Sequence, residues 1–258
     1  MAITAIEYSI FSALRQQQVL PPAPRVLELG EANWYGDVPL QQLVQDIRLY
    51  VSDEPARNRL LSQIQHLADT QTRYWLFDLA KIFYTVFLNY SSITAIDLHG
   101  TPAALRYDLN YPVHLDTRFD MVLNLGTAEH IFNVFQFFKT VHDLTAPGGL
   151  MVHGMPFTGW YDHGFYNFQP TFYWDLALQN RYTILALIYA QLSPFSLTQL
   201  HTREQISKMV TEGQIAPNAL LYAVFRKGDE EQDFLPPMQG YYAGILSETC
   251  RQAWHKLR

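Results

Sequence analysis

Short apolar runs alternate with helical stretches along most of this chain, and several of the runs end on a glycine or an acid. The runs are Arg25-Val26-Leu27-Glu28-Leu29-Gly30, Ser92 to Asp97, Ala104 to Asp108, Phe119 to Asn124, Leu150 to Met155 and Leu220 to Phe225. Each is strand-sized, and the segments between most of them carry helical periodicity. Strands alternating with helices indicate a mostly parallel sheet, because a helix-bearing crossover can return each strand parallel to its predecessor. The expected fold class is therefore α/β, doubly wound and mostly parallel, with helices on both faces of the sheet.

A first helix is expected within residues 2–19, where Ile3, Ile6, Ile10, Phe11 and Leu14 recur at helical spacing. Pro21-Pro22-Ala23-Pro24 ends it as a stiff connector, so residues 1–24 form an N-terminal helix and linker. Residues 38–91 read as a helical insertion, or lid, after the first strand. A helix from about Ala128 to Leu144 should stop at Pro147-Gly148-Gly149. Residues 156–169 are aromatic and glycine-bearing and read as a loop, with Pro170 opening the next helix to about Gln179. Beyond it lie a strand near Thr183 to Tyr189, a helix near Arg203 to Glu212 and an irregular tail after Phe225. With 258 residues and no internal repeat, the chain is expected to be a single domain spanning 1–258.

Composition excludes several classes. At 48% apolar and 16% charged the chain is globular, not a disordered polyelectrolyte. Eighteen basic against 24 acidic residues, with no basic run, argue against a nucleic-acid partner. Cys250 is the only cysteine, which leaves no disulfide and no thiolate-rich zinc site and fits a reducing cytoplasm. The start lacks the pattern of a secretion signal, and the longest apolar stretch, Tyr182 to Leu192, is far short of the ~20 residues of a membrane span. A cytoplasmic protein with no membrane partner is expected; the oligomeric state is open.

In open parallel sheets ligands lie beyond the carboxyl ends of the strands. Glu28 and Gly30 close the first strand, Asp97 the second and Asp108 the third, while Asp120 and Asn124 flank the fourth. A carboxylate such as Asp97 can grip two ribose hydroxyls at once.

Val26-Leu27-Glu28-Leu29-Gly30, Ile96-Asp97-Leu98, Tyr107-Asp108-Leu109, Phe119-Asp120-Met121-Val122 and Ala146-Pro147-Gly148-Gly149-Leu150 together resemble the successive motifs of Rossmann-like (class I) S-adenosylmethionine-dependent methyltransferases. The similarity covers Arg25 to Met155, with Leu220 to Phe225 resembling the family's last strand. It implies a seven-stranded type of sheet, S-adenosylmethionine as cofactor and S-adenosylhomocysteine as product. It also implies that Glu28 and Gly30 hold the methionine part, Asp97 with Leu98 the ribose, and Asp108 with Leu109 the adenine. Asn124-Leu125-Gly126-Thr127-Ala128-Glu129-His130 resembles the segment beside the methyl group. Two departures stand out. Ala32 occupies the place of a second glycine, and Asp97 follows Gly30 by 67 positions, where ~20 is common. The helical insertion accounts for the longer spacing; the competing assignment makes Ile47 to Asp53 the second strand, with Asp53 on the ribose.

Three of the nine histidines, His130, His153 and His163, fall near the expected site. His163 or His130 could take a proton from a hydroxyl, amine or thiol acceptor, with Glu129 beside His130 in sequence. Alternatively His130 or His163 could bind a divalent metal with Glu129, Asp162 or Asn167, although no fixed metal-motif spacing is present. The function expected is methyl transfer to a small or medium-sized metabolite. The alternatives are a non-catalytic binding protein and a nicotinamide-dependent oxidoreductase, the latter disfavoured by the missing GxGxxG loop.

Overall fold

A computed structural model describes residues 2–256 and divides into two compact units, Met1–Tyr107 and Asp108–Arg258. The first unit opens with β1 (Ala2–Ile3) and α1 (Ala5–Gln16). Thr4 and Glu7 cap α1 reciprocally, the Thr4 N–H donating to Glu7 Oε2 at 2.8 Å. Next come β2 (Arg25–Leu29) and β3 (Asn33–Trp34), the latter a short parallel partner of β1. Helices α2 (Leu40–Tyr50), α3 (Glu54–Thr70) and α4 (Trp75–Leu88) follow, and β4 (Ser92–Ile96) then pairs parallel with β2, Leu29 opposite Ile96.

The competing strand at Ile47 to Asp53 is not formed. Its first residues end α2, and Asp53 is the exposed N-cap of α3, its carboxylate accepting from the Ala56 N–H at 2.8 Å. The expected strand at Ala104 to Asp108 is likewise a correction: it shrinks to a single bridge, Leu105 beside Ile96. Arg106 explains the shortfall, because its guanidinium turns back onto the carbonyls of Asp97, Gly100 and Thr101.

An aromatic cluster makes the first unit's core. Phe83 on α4 is fully buried, with ring centroids 5.3 Å from Tyr8, 5.7 Å from Phe11, 6.3 Å from Trp34 and 4.7 Å from Phe87. Removing a ring so surrounded leaves a cavity that cannot fully collapse. Phe83→Ala should cost about 3–5 kcal/mol in chemical denaturation, and a loss below ~1 kcal/mol would show that this cluster does not hold the unit together.

The second unit contains β5 (Phe119–Leu125), α5 (Val134–Leu144), β6 (Thr145–Thr158), α6 (Pro170–Gln179), β7 (Thr183–Leu192), β8 (Phe195–Gln199), α7 (Arg203–Thr211), β9 (Ala219–Arg226) and α8 (Glu248–Lys256). Within it the strand order is β5-β6-β9-β7-β8. β5 and β6 are parallel, while β9 runs antiparallel to both β6 and β7, and β8 folds back on β7. The first unit thus holds the parallel pair β2 and β4 and the second a mixed five-stranded arrangement, and the fold class is α/β as expected.

Three local expectations are corrected here. The helix read from Ala128 is a 3₁₀ turn, Ala128–His130, followed separately by α5, which Asn133 caps by accepting from the Gln136 N–H at 3.2 Å. Pro156 to Thr158 belong to β6, so the irregular segment starts at Gly159. The tail ends in α8, where Ser247 Oγ accepts from the Cys250 N–H at 3.1 Å in the manner of an N-cap. Among the described residues no helix is long and apolar enough to cross a membrane.

Candidate functional site

In the first unit the chain leaves β2 through Gly30, whose φ of +87° is the left-handed region that glycine enters without strain. Its N–H donates to the Ile96 carbonyl at 2.7 Å, which ties the turn to the end of β4. There Asp97 is half-buried. One of its carboxylate oxygens accepts from the Glu31 N–H at 2.8 Å and the other from the His99 N–H at 2.7 Å. An ionised carboxylate offers about four acceptor positions, so each oxygen keeps one for a further donor. Leu98, next in the chain, leaves its side chain mostly exposed.

Glu28 has no exposed surface. It accepts from the Ala32 N–H at 3.1 Å and pairs with Lys81 of α4. Burial raises its pKa, and the Lys81 charge works against that rise. Ala32, standing in place of a second glycine, is itself fully buried, and its N–H is the donor that fixes Glu28.

Sequence reasoning missed four residues of this turn system. Glu31 is buried and accepts from the Thr101 N–H at 2.6 Å, and Lys81 stands 3.7 Å from it. Gly100 packs so closely that a Cβ would meet the Glu31 carboxylate at 2.6 Å. Arg106 clasps the whole 97–101 turn. The adjacency of Glu31 to Gly30 could have signalled the first of these; nothing local marks Lys81, which α4 delivers from far along the chain.

The second unit carries the remaining candidates. Asp108 is exposed and caps its own turn, accepting from the Asn110 backbone N–H at 2.9 Å. Leu109 is buried. Asn110 in turn bonds both backbone and side chain of Asn133, which seats this turn at the start of α5. Asn124, fully buried near the end of β5, accepts from the Ala128 N–H at 3.1 Å and lies 3.2 Å from His153 Nδ1. Burial pushes the His153 pKa down to about 3, so His153 is a neutral packing residue.

The structure brings together Glu129, His130 and His163. Glu129 in the 3₁₀ turn is 1% exposed, and its Oε1 is 3.9 Å from Nε2 of both histidines. The two imidazoles lie 4.9 Å apart by ring centroid, and both are about half-exposed. Burial pushes the Glu129 pKa up to about 7; burial, then the neighbouring His163, lowers that of His130.

The segment bearing His163 is fastened by its backbone. Phe165 N–H donates to the Glu129 carbonyl at 2.7 Å and Trp160 N–H to Asn218 Oδ1 at 3.1 Å. A Cβ on Gly164 would lie 2.8 Å from that same Glu129 carbonyl, so only glycine permits the approach. Trp160 and Asp162 hold left-handed φ values of +52° and +59°, local strain of the kind that persists where surrounding contacts over-determine the backbone. Asp162 is exposed, and Asn167 is spent on the Gly159 carbonyl at 2.9 Å. Neither belongs to the group around Glu129.

No family model matches the chain, and no curated protein matches it. Among solved structures it is similar to the N-methyltransferase NodS from Bradyrhizobium japonicum WM9, at 13% identity, covering 86% of this chain and 95% of that one, with a TM-score of 0.47. An S-adenosylmethionine-dependent methyltransferase from Mesorhizobium loti gives 15% identity, 86% and 98% coverage and a TM-score of 0.45. The 1,6-didemethyltoxoflavin-N1-methyltransferase of Burkholderia thailandensis gives 14% identity, 86% and 78% coverage and a TM-score of 0.37.

Proposed function

We propose that this chain is an S-adenosylmethionine-dependent methyltransferase acting on a small or medium-sized metabolite. The observation that carries the reading is Asp97: a half-buried carboxylate at the end of a parallel strand, beside the left-handed Gly30 turn, with acceptor capacity left on both oxygens. Two vicinal hydroxyls fit that capacity, and Leu98 offers an apolar surface beside them. The cofactor would supply an electrophilic methyl group on a sulfonium.

The chain's own residues divide the work. Asp97 and Leu98 hold the ribose, and Gly30 lets the backbone approach the methionine part. Glu28 acts through the turn that it shapes, since its carboxylate is spent on Ala32 and Lys81. Asp108 and Leu109 take the adenine, and Asn124 holds the 3₁₀ turn that presents Glu129 and His130. His163, with Glu129 and His130, works on the acceptor. In-line displacement demands alignment and exclusion of water more than acid–base chemistry, so these groups need only orient the acceptor and dispose of its proton.

S-adenosylhomocysteine should raise the melting temperature. Ligand bound only to the native state at a hundredfold excess over Kd adds roughly 2.7 kcal/mol, on the order of 5–10 °C for a chain of this size. Absence of a shift, together with a shift on adding a nicotinamide dinucleotide, would move the reading to an oxidoreductase. A shift without transfer to any acceptor would leave a binding protein.

A further inference from the structure

We infer that Glu129, His130 and His163 form a binding site for one divalent transition-metal cation, which holds an oxygen of the acceptor. The three donor atoms already lie within 4.8 Å of one another. Glu129 Oε1 is equidistant, at 3.9 Å, from the two imidazole nitrogens. Ligands at about 2.1 Å from a common ion can stand at most about 4.2 Å apart, so a small inward movement of the two half-exposed rings completes the set.

A second, independent observation points to a cation. Glu129 is 1% exposed, yet its Oε2 has no hydrogen-bond partner among the described residues. A buried carboxylate is costly unless it is paired or coordinates a metal. The buried Tyr173 hydroxyl also lacks a partner among the described residues. No lysine or arginine forms an ion pair with Glu129 among the described residues. The backbone meanwhile spends two N–H groups, those of Phe165 and Tyr166, on holding the His163 segment against the Glu129 carbonyl. That fastening brings ligands from distant points of the chain to one place.

Donor chemistry selects the ion. Two imidazoles and one carboxylate suit zinc, manganese, iron(II) or cobalt, and suit the all-oxygen preferences of magnesium and calcium poorly. Three protein ligands, two of them half-exposed, leave positions open on the solvent side, as in catalytic sites. An acceptor hydroxyl placed there would be held and would release its proton to solvent more readily; its oxygen would then take the methyl group as the sulfur–carbon bond of the sulfonium breaks, leaving S-adenosylhomocysteine. Phe132 and Phe165, exposed and packed edge to face at 5.9 Å, flank the segment and suit an acceptor with an apolar body.

The role in turnover rests on the methyltransferase reading; the binding of a cation does not. Chelator-treated protein should be titrated with Co²⁺, followed by visible absorption, and with Zn²⁺, followed by calorimetry. The expected result is one cation per chain, with affinity falling at least tenfold in Glu129→Gln, His130→Ala and His163→Ala, while S-adenosylhomocysteine binding, which reports folding, is retained. Absence of uptake by the wild type, or uptake unaltered in both Glu129→Gln and His163→Ala, would overturn the site. Full methyl transfer in chelator would overturn the cation's role in turnover and leave His163 as a direct base. Cation binding without S-adenosylhomocysteine binding would keep the site and reject the methyltransferase reading.

Discussion

His163→Ala should lower methyl transfer by ~10²–10⁴-fold while leaving S-adenosylhomocysteine affinity nearly unchanged. The loss is expected whether the imidazole takes the acceptor's proton itself or holds a cation that does the same work. The structure makes the variant a clean test, because the segment around His163 is anchored by groups other than its ring. His163 N–H meets the Trp160 carbonyl at 3.2 Å, Phe165 N–H meets Glu129, and the Trp160 indole donates to the Ala219 carbonyl at 3.2 Å. Deleting a half-exposed ring from such a frame should leave the backbone in place. Steady-state turnover, with product affinity by calorimetry as the control, decides the point. Turnover at the wild-type rate would assign His163 to packing alone.

Asp97→Ala should weaken S-adenosylhomocysteine by about two orders of magnitude, and Asp53→Ala should leave it unchanged. A carboxylate accepting two hydroxyls makes two charge-assisted bonds; the side chain is only half-buried, so the low end of about 1.5–3 kcal/mol each applies. Asp97 also holds the Glu31 and His99 N–H groups, so part of the loss comes from a loosened turn. Asp97→Asn separates the two contributions, since it keeps the shape and an acceptor oxygen but removes the charge. Asp53 stands at an exposed helix N-terminus, and losing its cap costs about 1 kcal/mol of stability with no ligand to disturb. The opposite ranking of the two alanine variants would overturn the placement of the ribose-binding acid.

The positions of the candidate site residues were legible in the sequence to the extent that strand ends are legible. Asp97 was placed correctly at the end of a strand because Ser92 to Ile96 reads as a short buried run closed by an acid. Asp108 was not, because the strand expected before it depends on whether Leu105 can extend its pairing beyond one bridge. The Arg106 side chain, folding back to three carbonyls, settles that, and no propensity encodes it. The burial of Asn124, with its amide divided between Ala128 and His153, was not legible locally either.

By itself the sequence determined the α/β class, the presence of α1, the extent of α6 and α7, and the strand ends that carry Gly30 and Asp97, while Ile3, read as part of the first helix, lies in β1. Those features follow from local periodicity, caps and turns, whose energies act over a few neighbouring residues. Only the tertiary structure decided which side chains meet. Lys81 reaches Glu28 because α4 packs across the turn system of its own unit, and His163 reaches Glu129 because two backbone N–H groups and the missing Cβ of Gly164 bring the strands' connections into contact. Such contacts join residues far apart in the chain. They are set by burial and by the completion of backbone hydrogen bonds, neither of which any local stretch of sequence records.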